Sequence, residues 1–201
     1  MRIGVFGGTF DPPHIAHLIL AEEAGYQLNL ERILWVLTPT SPLKPDRKIT
    51  PWQQRLEMLQ AAIAENPRFE ISRIDIDRSP PYFSYITLKI LERNYPLDDF
   101  VFLIGGDSLT DFPRWEKPEQ IITKCKEIGV MHRPGEAFDL SGLENLYPGL
   151  QKKIRWIEAP LLQISGSLIR QKILAREPIR YYLPEKVFHL ILEQRPYDVE
   201  K

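Results

Sequence analysis

The sequence predicts an α/β domain, a doubly wound parallel sheet with helices on both faces. Two observations carry this. Six short apolar runs recur along the chain, at residues 3–6, 33–37, 69–76, 100–104, 128–132 and 154–157. Between them lie stretches whose apolar residues return with helical spacing. Strands alternating with helices argue for a parallel sheet, and ligands of such sheets sit at the carboxyl ends of the strands, at the switch point. The chain has 201 residues, 43% hydrophobic and 26% charged, enough for one sizeable core. Residues 1–201 are expected to form a single domain with a helical C-terminal segment from about residue 160.

The first apolar run leads into "GGTFDPPHIAHL", residues 7–18. Glycines let the backbone turn sharply or approach a ligand, prolines often open helices, and His14 and His17 share a face if the helix has begun by His14. A helix is expected over 17–28. The second strand ends in a basic loop, "TPTSPLKPDRKIT" at 38–50, and a helix follows over 51–65. The third strand runs into "RIDIDRSPPYFSY" at 73–85, and the next helix spans 84–93. The fourth strand ends at Gly105-Gly106-Asp107, with a helix at 116–123 beyond it. Residues 133–150 show no strong period and read equally as a binding loop or a solvated connection. After the sixth strand comes "ISGSLIR" at 164–170, with a helix starting near Ser167 and a last helix over 184–192.

Composition narrows the function. A formal net charge of -1 argues against a general binder of nucleic acid or of membrane surfaces, so a polyanionic ligand must be met by local basic groups. A single cysteine, Cys125, excludes an intrachain disulfide and fits a reducing compartment. Lys124 and Lys126 beside it could lower its pKa, but a surface or half-buried thiol is the plainer reading. No signal peptide or transmembrane run is visible, which makes the cytoplasm the default location.

The chemistry concentrates in two motifs. Gly7-Gly8-Thr9 leaves a strand just before a helix, where backbone N–H groups and the helix dipole favour an anion. It matches neither G-x-G-x-x-G nor the Walker loop. His14 and His17 lack the i, i+4 spacing and glutamate of a zinc helix, so no metal ligand is assigned, and imidazoles donating to phosphoryl oxygens explain more of the stretch. In the second motif, Ser165 and Ser167 read either as helix caps or as phosphate ligands, and Arg170, one turn in, can grip two phosphate oxygens.

Together the motifs resemble the HxGH and ISSTxIR signatures of the nucleotidylyltransferase superfamily, a Rossmann-like fold. "GGTFDPPH", "FLIGGDSLTDFPRW" at 102–115 and "YLPEKV" at 182–187 resemble one branch, the bacterial nicotinate-nucleotide adenylyltransferases. The resemblance implies transfer of AMP from ATP to nicotinate mononucleotide, with Mg²⁺ carried on the ATP phosphates. It implies Gly7, Gly8, Thr9, Phe10, His14 and His17 on one side of the triphosphate, and Ile164, Ser165, Ser167 and Arg170 on the other. Lys44 would reach the phosphates from the 38–50 loop, Asp107 would hold a ribose, and Gly105 would let the nucleotide near the backbone. Trp115 would stack on the pyridine ring, Thr87 would present its backbone to the nicotinate carboxylate, and Arg133 would sit on the phosphate side.

Three departures stand out. Ala16 replaces the glycine of HxGH, Gly166 replaces a serine of ISSTxIR, and Leu43 stands where a histidine is frequent. Another transferase of the superfamily, with phosphopantetheine or a different phosphate as acceptor, is the rival enzyme reading. A nucleotide-sensing module without turnover is the rival of another class. A homo-oligomer is left open.

Overall fold

A computed structural model describes residues 1–43, 49–132, 138–160 and 162–198. Strand β1 (Arg2–Gly8) is followed by helix α1 (Ile15–Gln27), β2 (Arg32–Leu37), α2 (Trp52–Ile63) and β3 (Phe69–Ser72). Then come α3 (Ser84–Asn94), β4 (Asp99–Gly105), α4 (Gly106–Thr110), α5 (Pro118–Lys124) and β5 (Glu127–His132). The chain continues through α6 (Leu140–Leu146), α7 (Leu150–Lys153), β6 (Ile154–Glu158), α8 (Gly166–Leu174) and α9 (Glu185–Gln194). The six strands form one parallel sheet in the order β3-β2-β1-β4-β5-β6. The chain reverses direction across the sheet between β1 and β4, and a crevice opens beyond their carboxyl ends.

Strand alternation sorts the core into two layers. Ile3, Val5, Leu34, Val36, Phe100, Phe102 and Ile104 point to one face, against Leu88 and Leu91 of α3 and Ile121 of α5. Phe6, Ile33, Trp35, Leu37, Val101 and Leu103 point to the other, against Leu20 and Ala24 of α1 and Leu59 of α2. Both faces are apolar, as helices on both sides require. A third cluster joins Met58 of α2 to Ile169 of α8, Val187 and Ile191 of α9, and Tyr197. Through it the C-terminal segment is fastened beside the first half of the sheet.

The structure amends the sequence reading at three places. The third strand stops at Ser72 rather than reaching Ile76, because the chain turns there, with the Asp77 amide bonded to the Arg73 carbonyl at 2.9 Å. The first helix begins at Ile15, two residues early, because His14 caps it. The stretch after residue 137 holds two short helices: Asp139 caps α6 by accepting from the Gly142 amide, and Leu140, Leu143 and Tyr147 pack on the core. At four and seven residues these helices are too short to show a period.

Cys125 is buried, and burial pushes its thiol up to about 12, although Lys153 nearby pulls the other way. Lys124, by contrast, is bonded to Glu92 at the surface. The native protein is therefore expected to resist a thiol-specific maleimide at neutral pH and to take up one equivalent when denatured. Rapid labelling of the native protein would contradict the burial of this thiol.

Candidate active site

Strand β1 delivers the glycine turn. Phe10 adopts a left-handed conformation (φ 46°) and folds its ring back onto Phe6, Trp35 and His17, with centroids 5.5, 5.3 and 5.1 Å away. His14 is the N-cap of α1 and His17 its third residue. The His14 amide donates to His17 Nδ1 at 3.2 Å, and the two rings stack at 3.6 Å. Because Nδ1 of His17 accepts, its neutral tautomer carries the proton on Nε2. Burial lowers His14 to about 4 and His17 well below its ordinary value, and the His14 ring further disfavours charge on His17. Both imidazoles are thus neutral at pH 7.

Helix α8 meets this turn from the far end of the chain. Ser165 caps it, its hydroxyl accepting from the Leu168 amide at 3.2 Å. Arg170 donates to the Asp11 main-chain carbonyl, lies 3.4 Å from Asp11 Oδ2, and reaches Ser167 Oγ at 3.2 Å. Gly166 has a specific steric reason. A Cβ there would lie 2.6 Å from the Asp11 carbonyl oxygen, a backbone atom that cannot swing aside. The helix reaches the turn only because residue 166 has no side chain.

The two motifs line one cleft of about 680 Å³ at the carboxyl edge of the sheet. Gly7, Gly8, Thr9, Phe10, His14 and His17 form one wall; Ile164, Ser165, Ser167 and Arg170 form another. Gly105, Asp107 and Trp115 line the side below β4, with Trp115 edge-on to Phe102 at 5.9 Å. Ala16, at the HxGH departure, and Leu43 also face the cleft. Lys44 and Arg133 lie outside the described residues. Among the described residues, no group of three or more His, Cys, Asp or Glu could hold a metal ion. No helix among them is long and apolar enough to cross a membrane.

Thr87 does not line the cleft. It is 4% exposed, its amide is spent on the Phe83 carbonyl, and its hydroxyl donates to Asp75 at 2.7 Å. Three residues earlier, Ser84 opens α3 and faces the cleft together with Tyr82 and Phe83. The Ile86 and Thr87 amides bond back to Phe83, so by helix geometry the unspent donors are the amides of Ser84 and Tyr85. The start of this helix at Ser84 was legible in the sequence; the depth of Thr87 was not.

Asp75, 2% exposed, also binds Arg78 through both Nε and Nη2, at 3.1 and 2.9 Å, and receives the Thr38 hydroxyl at 3.3 Å. This network carries the Tyr82–Ser84 wall and had no sequence signal beyond an ordinary acidic residue in a loop. Arg55, 1% exposed, is the other residue that sequence reasoning passed over. Its guanidinium donates to the main-chain carbonyls of Thr9, Thr38, Pro39 and Thr50.

Fold and cleft together define a nucleotidyltransferase of the cytidylyltransferase-like class, whose family model matches residues 5–172. Within that class the chain belongs to the nicotinate-nucleotide adenylyltransferase family. It is 40% identical to the "probable nicotinate-nucleotide adenylyltransferase" of Roseiflexus sp. (strain RS-1), over 92% of each chain. It is 34% identical to the protein of the same name from Bacillus pumilus (strain SAFR-032), over 98% of each. Among solved structures, the Plasmodium falciparum nicotinic acid mononucleotide adenylyltransferase complexed with NaAD shares the fold. Its TM-score is 0.80 at 22% identity, covering 99% of this chain and 98% of that one.

The buried histidines bear on stability. His14 titrates near 6.5 when unfolded and about 4 when folded, so the unfolded chain binds the proton more readily. Its contribution is unchanging above pH 6.5 and becomes destabilising as pH falls toward 4, by on the order of 3 kcal/mol in total. Urea unfolding of the parent and of His14→Gln from pH 7 to 4 is expected to show a shallower decline for the variant. Parallel declines would mean that His14 is not held neutral by burial.

Proposed function

We propose that this chain transfers AMP from ATP to nicotinate mononucleotide, releasing pyrophosphate and nicotinic acid adenine dinucleotide. The observation that carries the reading is the convergence of the His14/His17 turn and the Arg170 helix on one cleft at the switch point. Family membership supplies the acceptor. An oxygen of the acceptor phosphate attacks the α-phosphorus of ATP, and the bond from that phosphorus to the bridging oxygen of pyrophosphate breaks. The nucleophile is already anionic, so no side chain need form a covalent intermediate and no strong base is called for.

The protein's part is placement and charge neutralisation. His17 presents a neutral Nε2–H, a donor that needs no proton transfer to act. Arg170 holds phosphoryl oxygens from the opposite wall, and the N-terminal amides of α1 add their dipole. Lys44 joins them in this reading. Mg²⁺ would arrive on the ATP phosphates in this reading. When bound there, the ion supplies charge neutralisation on the leaving pyrophosphate. Asp107 takes the ribose, Trp115 supports the pyridine ring, and the Ser84 and Tyr85 amides, rather than Thr87, receive the nicotinate carboxylate. We place the reaction in the cytoplasm.

The deciding experiment measures pyrophosphate release with ATP, Mg²⁺ and a panel of acceptors. Release with phosphopantetheine and not with the pyridine nucleotide would select the rival transferase, and ATP binding without release would select a sensor. His17→Ala is expected to lower kcat by roughly 10²–10³, about 2.7–4 kcal/mol, with little change in KM for ATP, as for loss of one donor to developing charge. Near-normal kcat in the folded variant would reject this role.

Acceptor choice turns on donors and acceptors. A site that offers amide donors satisfies a carboxylate but sets the NH₂ of a carboxamide against another donor, at about 1–3 kcal/mol. Nicotinate mononucleotide is therefore expected to exceed the nicotinamide form in kcat/KM by roughly ten- to a hundred-fold. Trp115→Ala should weaken both while keeping their ratio, because stacking does not distinguish the rings. Equal kcat/KM values would defeat the nicotinate assignment while leaving adenylyl transfer intact.

A further inference from the structure

Helix α3 begins at Phe83, whose side chain makes no capping hydrogen bond. Ser84 faces the cleft there, with Tyr82 and Phe83 beside it, and the Ser84 and Tyr85 amides are the unspent donors. What fixes the direction of those amides lies behind the wall. The buried Thr87 hydroxyl is 2.7 Å from Asp75 Oδ1 and 3.4 Å from the Phe83 carbonyl. Its one hydrogen therefore goes to the carboxylate. The other oxygen, Oδ2, accepts from the Thr38 hydroxyl just beyond β2, at 3.3 Å. One buried carboxylate thus ties the first turn of α3 to the carboxyl edge of the sheet. Arg78 completes the brace. It grips Asp75 through Nε and Nη2, donates through Nη1 to the Pro81 carbonyl, and lies 5.1 Å over the Tyr82 ring. Asp75, Arg78 and Thr87 all stand outside the cleft lining.

We propose that Asp75, Arg78 and Thr87 are positioning residues of the acceptor site, acting through the first turn of α3 to set the preference for an aromatic carboxylate over its amide. The inference rests on the adenylyltransferase reading for the identity of the acceptor. It adds where the selectivity originates. A helix start without a side-chain cap is held less firmly than a capped one. Two main-chain donors select a carboxylate only while both point at it, because hydrogen bonds weaken steeply with misalignment. Thr87, the fourth residue of the helix, pins that turn from its buried side, through a bond to a charged acceptor, the stronger kind. Charge placement agrees. A bare carboxylate behind a helix N-terminus would oppose the dipole that draws an anion. Arg78, 2.9 and 3.1 Å from Asp75, cancels that charge and leaves the field of the amides to the cleft. A carboxamide gains less from the two amides, so it loses less when they tilt.

Thr87→Val removes the hydroxyl and keeps a branched side chain of similar size. The expected result is a roughly tenfold fall in the preference for nicotinate over nicotinamide mononucleotide in kcat/KM. A raised KM for the nicotinate form accounts for it, and ATP affinity by calorimetry stays unchanged. Thr87→Ser, which returns the hydroxyl, should restore the parent ratio. A residue that served stability alone would lower Tm and weaken both acceptors together. An unchanged ratio in folded Thr87→Val, an equal loss for both acceptors, or failure of Thr87→Ser to restore the ratio would each overturn the proposal. Should Thr87→Val not fold, Arg78→Lys carries the test. It keeps the charge, but one ammonium cannot hold Asp75 and the Pro81 carbonyl as the planar fork does. The ratio should fall several-fold there, and an unchanged ratio would overturn the idea equally. A parent protein that does not adenylylate nicotinate mononucleotide overturns the acceptor reading and this inference with it. A parent that prefers nicotinate, with a Thr87→Val variant that keeps the preference, overturns this inference alone.

Discussion

One buried guanidinium holds the loops of the site in register. Arg55 closes the first turn of α2, and its donors reach four main-chain carbonyls: Thr9 on the glycine turn, Thr38 and Pro39 where β2 ends, and Thr50 where α2 is about to begin. The glycine turn after β1 and both ends of the loop bearing Lys44 are thereby tied to one point. Such a tie is costly to make and more costly to break. Burial lowers the Arg55 pKa, with Asp11 and Tyr197 pulling it back up, yet a guanidinium remains charged in proteins. Its charge is met by carbonyl dipoles, and truncating it would strand four of them, at about 1–3 kcal/mol each if all stayed dry. Position, rather than net electrostatic gain, is what this residue supplies.

The same layer explains how a protein with a formal net charge of -1 attracts a polyanion. Positive potential is local and fixed: two helix N-termini, of α1 and α8, aim into one cleft, with Arg170 between them. The histidines add donors without adding charge. Held neutral by burial, they do not repel one another on stacking at 3.6 Å, and the His14 amide fixes the tautomer of His17 before any ligand arrives. A donor oriented in advance costs no reorganisation when charge develops on the phosphorus.

Much of this was legible in the sequence, because the strands are two-sided and alternate: Ile33, Trp35 and Leu37 face one layer, Leu34 and Val36 the other. The glycine turn was legible because glycine, proline and histidine are each unusual and stood together. What escaped was whatever depends on helical phase or on distant chain returning. Thr87 was assigned through the family resemblance, but one turn into α3 it points inward to Asp75 while Ser84 stays at the mouth. Arg55 reads as a surface residue of an ordinary amphipathic helix until the loops close over it. Tyr197 gives no local signal, since its partner lies 186 residues away.

The departures from the family signature are best understood as parts of one local geometry. Gly166 loses the hydroxyl contact that a serine would give, but it lets α8 approach until a Cβ would stand 2.6 Å from the Asp11 carbonyl. That closeness is what lets the Arg170 guanidinium reach both the carbonyl and the carboxylate of Asp11. In exchange for one neutral hydrogen bond, worth about 0.5–1.5 kcal/mol net, the site gains a charge-assisted contact across its two motifs, which is about twice as strong. Ala16 adds its methyl on the same wall, between His14 and His17 in the chain. Main-chain donors at a helix start survive changes of side chain so long as the backbones can still meet.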